Sequence, residues 1–270
     1  MLSGIGDADH LKSVGVEPLI DLKGVGKNLH DHVGTQIQVT CPKPVTEYKY
    51  FKNPLLKIWA GLQYVFAKSG PAASNGTDAV AYLRSGASGH SELDLKYYFI
   101  PIMTDPKGGF VPEHGVTNLV ILTRPESRGE LKLQSSDPMV SPIIDANYLA
   151  DERDREALRN GIRKARTILG QAAYADYFGK EARPGLDIDS DGDLDKYFKE
   201  TCNVNYEAVG TCKMGNDEMA VVDARLRVHG IQGLRVADAS IMPTIVRGNT
   251  NIPSMMIGDK CAKIILEDAK

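Results

Sequence analysis

Asp187-Ile-Asp-Ser-Asp-Gly-Asp193 offers oxygen ligands at the first, third and fifth places of a calcium loop, with Gly192 at the sixth and Leu194 at the hydrophobic eighth. The twelfth place calls for a bidentate glutamate, and Phe198 stands there. The competing reading is an acidic turn capping a helix that begins near Asp193, where the helix dipole favours negative charge. His30 and His32 have the chemistry of a metal or acid–base pair, but two residues apart in a loop they read first as packing or surface histidines. Gly24-Val-Gly26 opens like a dinucleotide fingerprint, yet leucine occupies the third glycine position, and no G-x-G-x-x-G occurs anywhere. Those glycines provide the tight turn, the close approach to the pyrophosphate and the helix packing, so this chain does not supply that site. There is no HExxH and no pair of cysteines or histidines spaced as a zinc clamp. Cys41, Cys202, Cys212 and Cys261 are scattered without a CxxC and read as a reduced, mostly buried set.

The elements that must position these groups follow from periodicity and punctuation. Asp7 to Val14 reads as a short helix and Val16 to Ile20 as a short strand. Gln36 to Cys41 alternates polar and apolar residues as a strand does, and Pro42 and Pro44 close it. Asn53-Pro54 opens a helix with a capping side chain and a proline in the first turn. Leu55, Trp59, Leu62 and Phe66 then recur at helical spacing, which predicts a core-facing stripe ending at Gly70-Pro71. Asp94 to Ile102, Thr117 to Thr123 and Glu130 to Gln134 are strand-like, with Arg124 to Gly129 joining the last two as neighbours. Asp151 to Gln171 is the clearest helix, with Leu158, Ile162, Ala165 and Leu169 on one face. Val221 to Asp223 and Leu234 to Asp238 read as short strands. A last helix opens at Ile252-Pro253 and carries Ile257, Cys261, Ile264 and Ile265. Strands and helices in alternation indicate a mixed α/β architecture.

With 270 residues, 42% hydrophobic and 25% charged, the chain has the composition of a folded protein with a sizeable core. The formal net charge of -3 argues against nucleic acid or anionic membrane as a general partner. No apolar run is long enough to span a bilayer, since the best candidate, Leu55 to Ala67, is interrupted by Lys57 and Gln63. No signal peptide is visible at the start. Asn75-Gly-Thr77 is a glycosylation sequon, relevant only in a secretory context.

The last seventy residues carry the most specific pattern. Tyr206-Glu-Ala-Val-Gly-Thr-Cys-Lys-Met-Gly215 is followed by Val221-Val-Asp-Ala-Arg-Leu-Arg-Val-His-Gly230, by Leu234-Arg-Val-Ala-Asp-Ala-Ser-Ile-Met-Pro243 and by Gly248-Asn-Thr-Asn-Ile-Pro-Ser254. In this order and spacing they resemble the end of the glucose-methanol-choline (GMC) oxidoreductases, with the choline dehydrogenase and insect glucose dehydrogenase branches nearest. Ser3-Gly-Ile-Gly6, Gly24-Val-Gly-Lys-Asn-Leu-His-Asp-His32, Ser127-Arg-Gly129, Ser136-Asp-Pro138 and Asn147-Tyr-Leu149 extend the resemblance over nearly the whole chain.

The resemblance implies an α/β fold: a substrate domain with an antiparallel sheet flanked by helices, plus incomplete remnants of a Rossmann-like FAD-binding domain. The expected divisions are 1–35 as a terminal piece of the FAD domain, 36–200 as the substrate domain, 201–220 as the active-site strand and turn, and 221–270 as the closing FAD-domain segment. It further implies FAD as cofactor and a small-molecule alcohol as substrate, with the chain standing as a carboxyl-terminal half. The alcohol would lose hydride to flavin N5 while a base takes the hydroxyl proton. The residue matching that base is Glu207, where the family carries histidine; a second active residue falls on Asn251, which also has the position of a helix cap. Asp238 and Ala239 match the turn that meets the FAD phosphates and ribityl chain, and Pro253 and Ser254 the helix start beneath the flavin ring. Glu207 is the departure that matters. A neutral imidazole takes a proton and becomes a cation beside reduced flavin, whereas an ionised carboxylate offers only acceptors and brings negative charge. The alternative is therefore a non-catalytic pseudoenzyme or binding protein that keeps the substrate-domain fold.

Overall fold

The computed structural model describes residues 1–87, 92–105 and 109–269. In chain order it begins with β1 (Ile5–Gly6), α1 (Ala8–Ser13), β2 (Ile20–Asp21), β3 (Val33–Thr40), α2 (Tyr48–Lys52) and α3 (Pro54–Ala67). Then follow β4 (Ala79–Leu83), β5 (Leu95–Ile100), β6 (Gly115–Leu122), β7 (Glu130–Lys132), β8 (Ile143–Asp145) and α4 (Glu152–Leu169). The chain closes with β9 (Glu181–Arg183), α5 (Asp191–Thr201), β10 (Asn203–Val204) and α6 (Asn251–Asp268). The architecture is mixed α/β. The chain divides into two compact units, one of Met1–Val33, Thr123–Asp154 and Val204–Lys270, the other of Gly34–Leu122 and Arg155–Asn203.

In the second unit, β4, β5 and β6 form an antiparallel meander with Tyr97 opposite Ala81 on one side and Val120 on the other. β3 lies beyond β6 and pairs antiparallel with β9. The face of α4 predicted from its 3.6-residue period is the one that is buried: Leu158, Ile162 and Ala165 are fully inaccessible. Gly161 lets this helix come close to the sheet, since a Cβ there would lie 2.6 Å from Val120 Cγ1, and the Tyr97 hydroxyl donates to the Gly161 carbonyl at 3.1 Å. α3 departs from expectation. Asn53 caps it through Leu55 and Leu56 N–H, as its sequence predicts, but its apolar stripe faces outward. Trp59 is 63% and Phe66 82% exposed, and Ala60 is the residue it buries. Leu55, Trp59, Leu62 and Phe66 do share one face; periodicity shows that a stripe exists and leaves open which way it turns.

The first unit contains little regular sheet. β1 and β2 pair in parallel, β7 and β8 antiparallel. The expected strands at Val221–Asp223 and Leu234–Asp238 are isolated bridges only, joining Met214 to Val222, Val222 to Val228, and Arg227 to Arg235. Asp223 explains this, because its carboxylate accepts from the N–H groups of Arg225 and Arg227 and folds the segment into turns. β6 and β7 are not neighbours, contrary to expectation. The connecting Ser127–Gly129 directs its hydrogen bonds elsewhere: Gly129 exchanges backbone bonds with Leu29, and Ser127 N–H and Oγ donate to buried Asp154. Residues 123–154 therefore belong to the unit that holds both chain termini, although the sequence reading placed them with the middle of the chain. A core of Leu22, Val209, Val221, Val222, Leu226, Val228, Ile241, Met242, Ile245, Ile257 and Cys261 closes this unit. Each large side chain buried there contributes on the order of 1.5–3 kcal/mol before entropy is counted.

Candidate active site

Every residue that the resemblance assigns to base or cofactor lies in the first unit, and Asn28 is the residue that knits several of its segments together. It takes φ of 61°, a left-handed conformation that asparagine tolerates better than most residues. Its amide donates to the carbonyls of Gly210 and Pro243 at 3.3 and 3.2 Å, and its oxygen accepts from Arg128 Nε at 2.9 Å. Gly210 is a glycine for a physical reason: its φ is 97° and a Cβ would stand 2.2 Å from the Asn28 carbonyl oxygen. Gly26 likewise has φ of 84° and would press a Cβ against the Leu131 carbonyl at 2.2 Å, so this glycine serves backbone packing.

From Asn28 the chain runs alongside the segment 205–210. His30 and Val209 exchange backbone hydrogen bonds, and Asn205 N–H donates to the His32 carbonyl at 3.0 Å. At Tyr206 the backbone turns through φ of 58°; the ring is 85% exposed, while the next side chain, Glu207, turns inward and is buried. Glu207 N–H donates to Asp31 Oδ1 at 2.9 Å. The Glu207 carboxylate meets Nδ1 of His32, a fully buried imidazole. His32 Nε2 lies 2.9 Å from the Val246 carbonyl, an acceptor only, so Nε2 is the proton-bearing nitrogen there. His30 is also buried: Nδ1–H donates to the Asn28 carbonyl at 2.6 Å and Nε2 accepts the Ile245 N–H at 2.9 Å. Burial, reinforced by Arg128, pushes its imidazole down to about 4 and keeps it neutral. Burial raises the Asp31 carboxyl above the usual range, opposed by the N–H groups of Glu207 and His32. The sequence leaves packing and surface open for the histidine pair; both residues are buried, but they differ: His30 is a structural strut, and His32 faces a carboxylate that sequence spacing could not reveal.

The remaining expected residues sit at turns of the same unit. Asp238 precedes a short 3-10 turn at Ala239–Ile241 and accepts from Ser240 N–H at 2.8 Å. Asn251 is the first residue of α6, is exposed and is not its cap; that position is Thr250, which makes no side-chain capping bond. Pro253 and Ser254 complete the first turn, Ser254 Oγ donating to the Thr250 carbonyl at 2.7 Å. No acidic residue lies in that first turn, so the helix supplies none of its own to offset its positive end. His229 Nε2 lies 3.0 Å from the Gly215 carbonyl and holds the end of the active-site segment.

The calcium-like acidic run belongs to the other unit and is committed to arginines of α4. Asp189 pairs with Arg166 at 2.8 Å, Asp191 with Arg163 at 2.7 Å, and Asp195 with Arg159 at 3.4 Å. Ser190 caps α5, with Asp193 receiving the Ser190 hydroxyl. Among the described residues no group of His, Cys, Asp and Glu is arranged to hold a metal ion. All four cysteines are free, Cys41 and Cys261 buried. Among the described residues no helix is long and apolar enough to cross a membrane.

The motif segments thus converge in one unit that holds a buried carboxylate–imidazole pair. Residues 125–258 match the family model described as GMC oxidoreductase. Oxygen-dependent choline dehydrogenase of Rhizobium rhizogenes is 43% identical over 98% of this chain and 49% of its own length. The Brucella anthropi protein of the same name is 42% identical over the same shares. Among solved structures, formate oxidase of Aspergillus oryzae superposes with a TM-score of 0.88 at 27% identity, over 99% of this chain and 51% of that one. Pyridoxine 4-oxidase from Mesorbium loti gives 0.81 at 28% identity, over 97% and 47%. The chain belongs to the GMC oxidoreductase family, whose cofactor is FAD, and it spans about half the length of the curated relatives it matches.

Proposed function

We propose that the chain is the carboxyl-terminal part of an FAD-dependent oxidoreductase acting on the CH–OH group of a small-molecule alcohol. The observation that carries the reading is that Glu207, Asp238 and the first turn of α6, the positions that the resemblance assigns to base and cofactor, fall in the same compact unit. The first turn of α6 suits an electron-rich cofactor: Thr250 makes no side-chain cap and the turn holds no acidic residue. Pro253 and Ser254 would hold the ring there, with Asp238 and Ala239 at the phosphate and ribityl end. When bound, FAD supplies the acceptor for the two electrons of the alcohol. The protein's own residues then have two tasks. Glu207 takes the hydroxyl proton, and Asn251, exposed at the start of α6, orients the alcohol oxygen through its amide. The names of the similar proteins make choline the first alcohol to try. The test is purification of the protein from its natural source, following flavin absorbance and choline-dependent reduction of an electron-accepting dye. Yellow protein with turnover is the expected result; colourless protein would overturn the reading.

The second reading, a non-catalytic protein on the same scaffold, draws on one observation: Glu207 is only 7% exposed and engaged with His32. Flavin-loaded protein that reduces no dye with any small alcohol would favour it.

A further inference from the structure

We propose that Glu207 and His32 act as one proton-accepting unit, His32 being a positioning residue that gives Glu207 the charge behaviour of a single histidine. The inference rests on the functional reading above and deepens it. His32 Nε2 faces a carbonyl oxygen and must donate to it. Nδ1 faces the Glu207 carboxylate. On this proposal one proton lies between Nδ1 and Oε2, whether written as imidazolium beside carboxylate or imidazole beside carboxylic acid. In both forms the net charge of the pair is zero, as it is for a lone neutral histidine.

In the reaction, the alcohol O–H bond breaks and its proton bonds to the Glu207 carboxyl group. With FAD bound, the electron pair of the C–H bond would leave as hydride to the oxidised flavin, and the C–O bond would become a carbonyl. The pair then holds two protons besides the Nε2 proton, as carboxylic acid beside imidazolium, and its charge is +1. A lone histidine ends at the same charge. The objection to a carboxylate beside a cofactor gaining electrons thus disappears once His32 is counted. The other ionisable groups around the pair are Asp31, which accepts from the Glu207 N–H and favours proton uptake, and His30, held neutral. Beyond them stand Arg128, whose charge acts on His30, and Tyr148, which feels Asp31.

Nitrogen-15 histidine NMR of the 270-residue chain reads the pair without cofactor or substrate. The expected result is a protonated His32 Nε2 and a shared proton at Nδ1, with Glu207→Gln moving Nδ1 to the value of a bare imidazole nitrogen. An Nδ1 signal that is the same with glutamate and glutamine at position 207 would overturn the proposal. In the flavin-loaded protein with choline as probe, His32→Gln and Glu207→Gln should each slow flavin reduction by about 10²-fold or more. The double variant His32→Gln/Glu207→His should recover much of that loss, because it installs the lone histidine. A His32→Gln protein reducing flavin at the unaltered rate would also overturn the proposal. Protein without flavin would instead remove the functional reading, leaving the NMR result to decide the pair.

Discussion

His30 and His32 show how two identical side chains two residues apart acquire different physical roles from their partners. His30 bridges Asn28 and Ile245 as donor and acceptor, which only the neutral imidazole can do. Its folded value of about 4 lies below the ordinary 6.5, so the unfolded chain binds this proton more readily. Stability contributed by His30 is therefore present at neutral pH and lost as pH falls from about 6.5 towards 4. The change is roughly 3 kcal/mol if the site does not relax. Urea midpoints at pH 7 and pH 5 should show the loss, and His30→Gln should flatten the difference while lowering stability at pH 7. An equal pH dependence in the variant would show that other groups carry it. Asn28 illustrates a second gap in sequence reading. It looks like one polar residue in a glycine-rich loop, yet three segments distant in sequence depend on its side chain.

At the scale of elements, α3 and α4 have equally clear helical periodicity and opposite fates. α4 buries its apolar face against the sheet, and α3 exposes its own. Trp59 is the only tryptophan in the chain and is largely exposed. Its fluorescence should therefore be quenched efficiently by acrylamide in the native chain, with little red shift on unfolding. Strong protection from quencher would mean that α3 is covered in solution. The α4–α5 region depends instead on charge. Arg166 binds Glu181 at 2.9 Å and Asp189 at 2.8 Å, and donates to the carbonyls of Gly185 and Ile188. Both Arg166 and Glu181 are largely withdrawn from water, so Arg166→Met leaves a buried carboxylate without its partner. The expected cost is about 3–5 kcal/mol in chemical denaturation. A change below about 1 kcal/mol would mean the pair is solvated like an ordinary surface bridge.

For the whole molecule, the decisive property is what the chain can hold by itself. It has an uncapped helix start but no G-x-G-x-x-G. The 270-residue chain is accordingly expected to take up FAD weakly or not at all. Titration followed by flavin fluorescence and calorimetry checks this, and a tight one-to-one yellow complex would contradict it. The two compact units are each built from segments far apart in sequence, which makes their boundaries hard to read from composition alone.

The sequence by itself determined the family, the mixed α/β class, the cap of α3 and the buried face of α4. These are local or ordered signals: a capping side chain, a 3.6-residue period, a run of motifs in fixed order. Tertiary structure alone decided that Ser127–Gly129 reaches back to Leu29, that α3 turns its apolar stripe outward, and that the acidic run before α5 pairs with arginines. It also decided that His32 meets Glu207, far apart along the sequence. The physical reason is common to all of them. Hydrogen bonds and ion pairs are satisfied by whichever partner the folded chain brings within reach, and spacing along the sequence does not encode that distance.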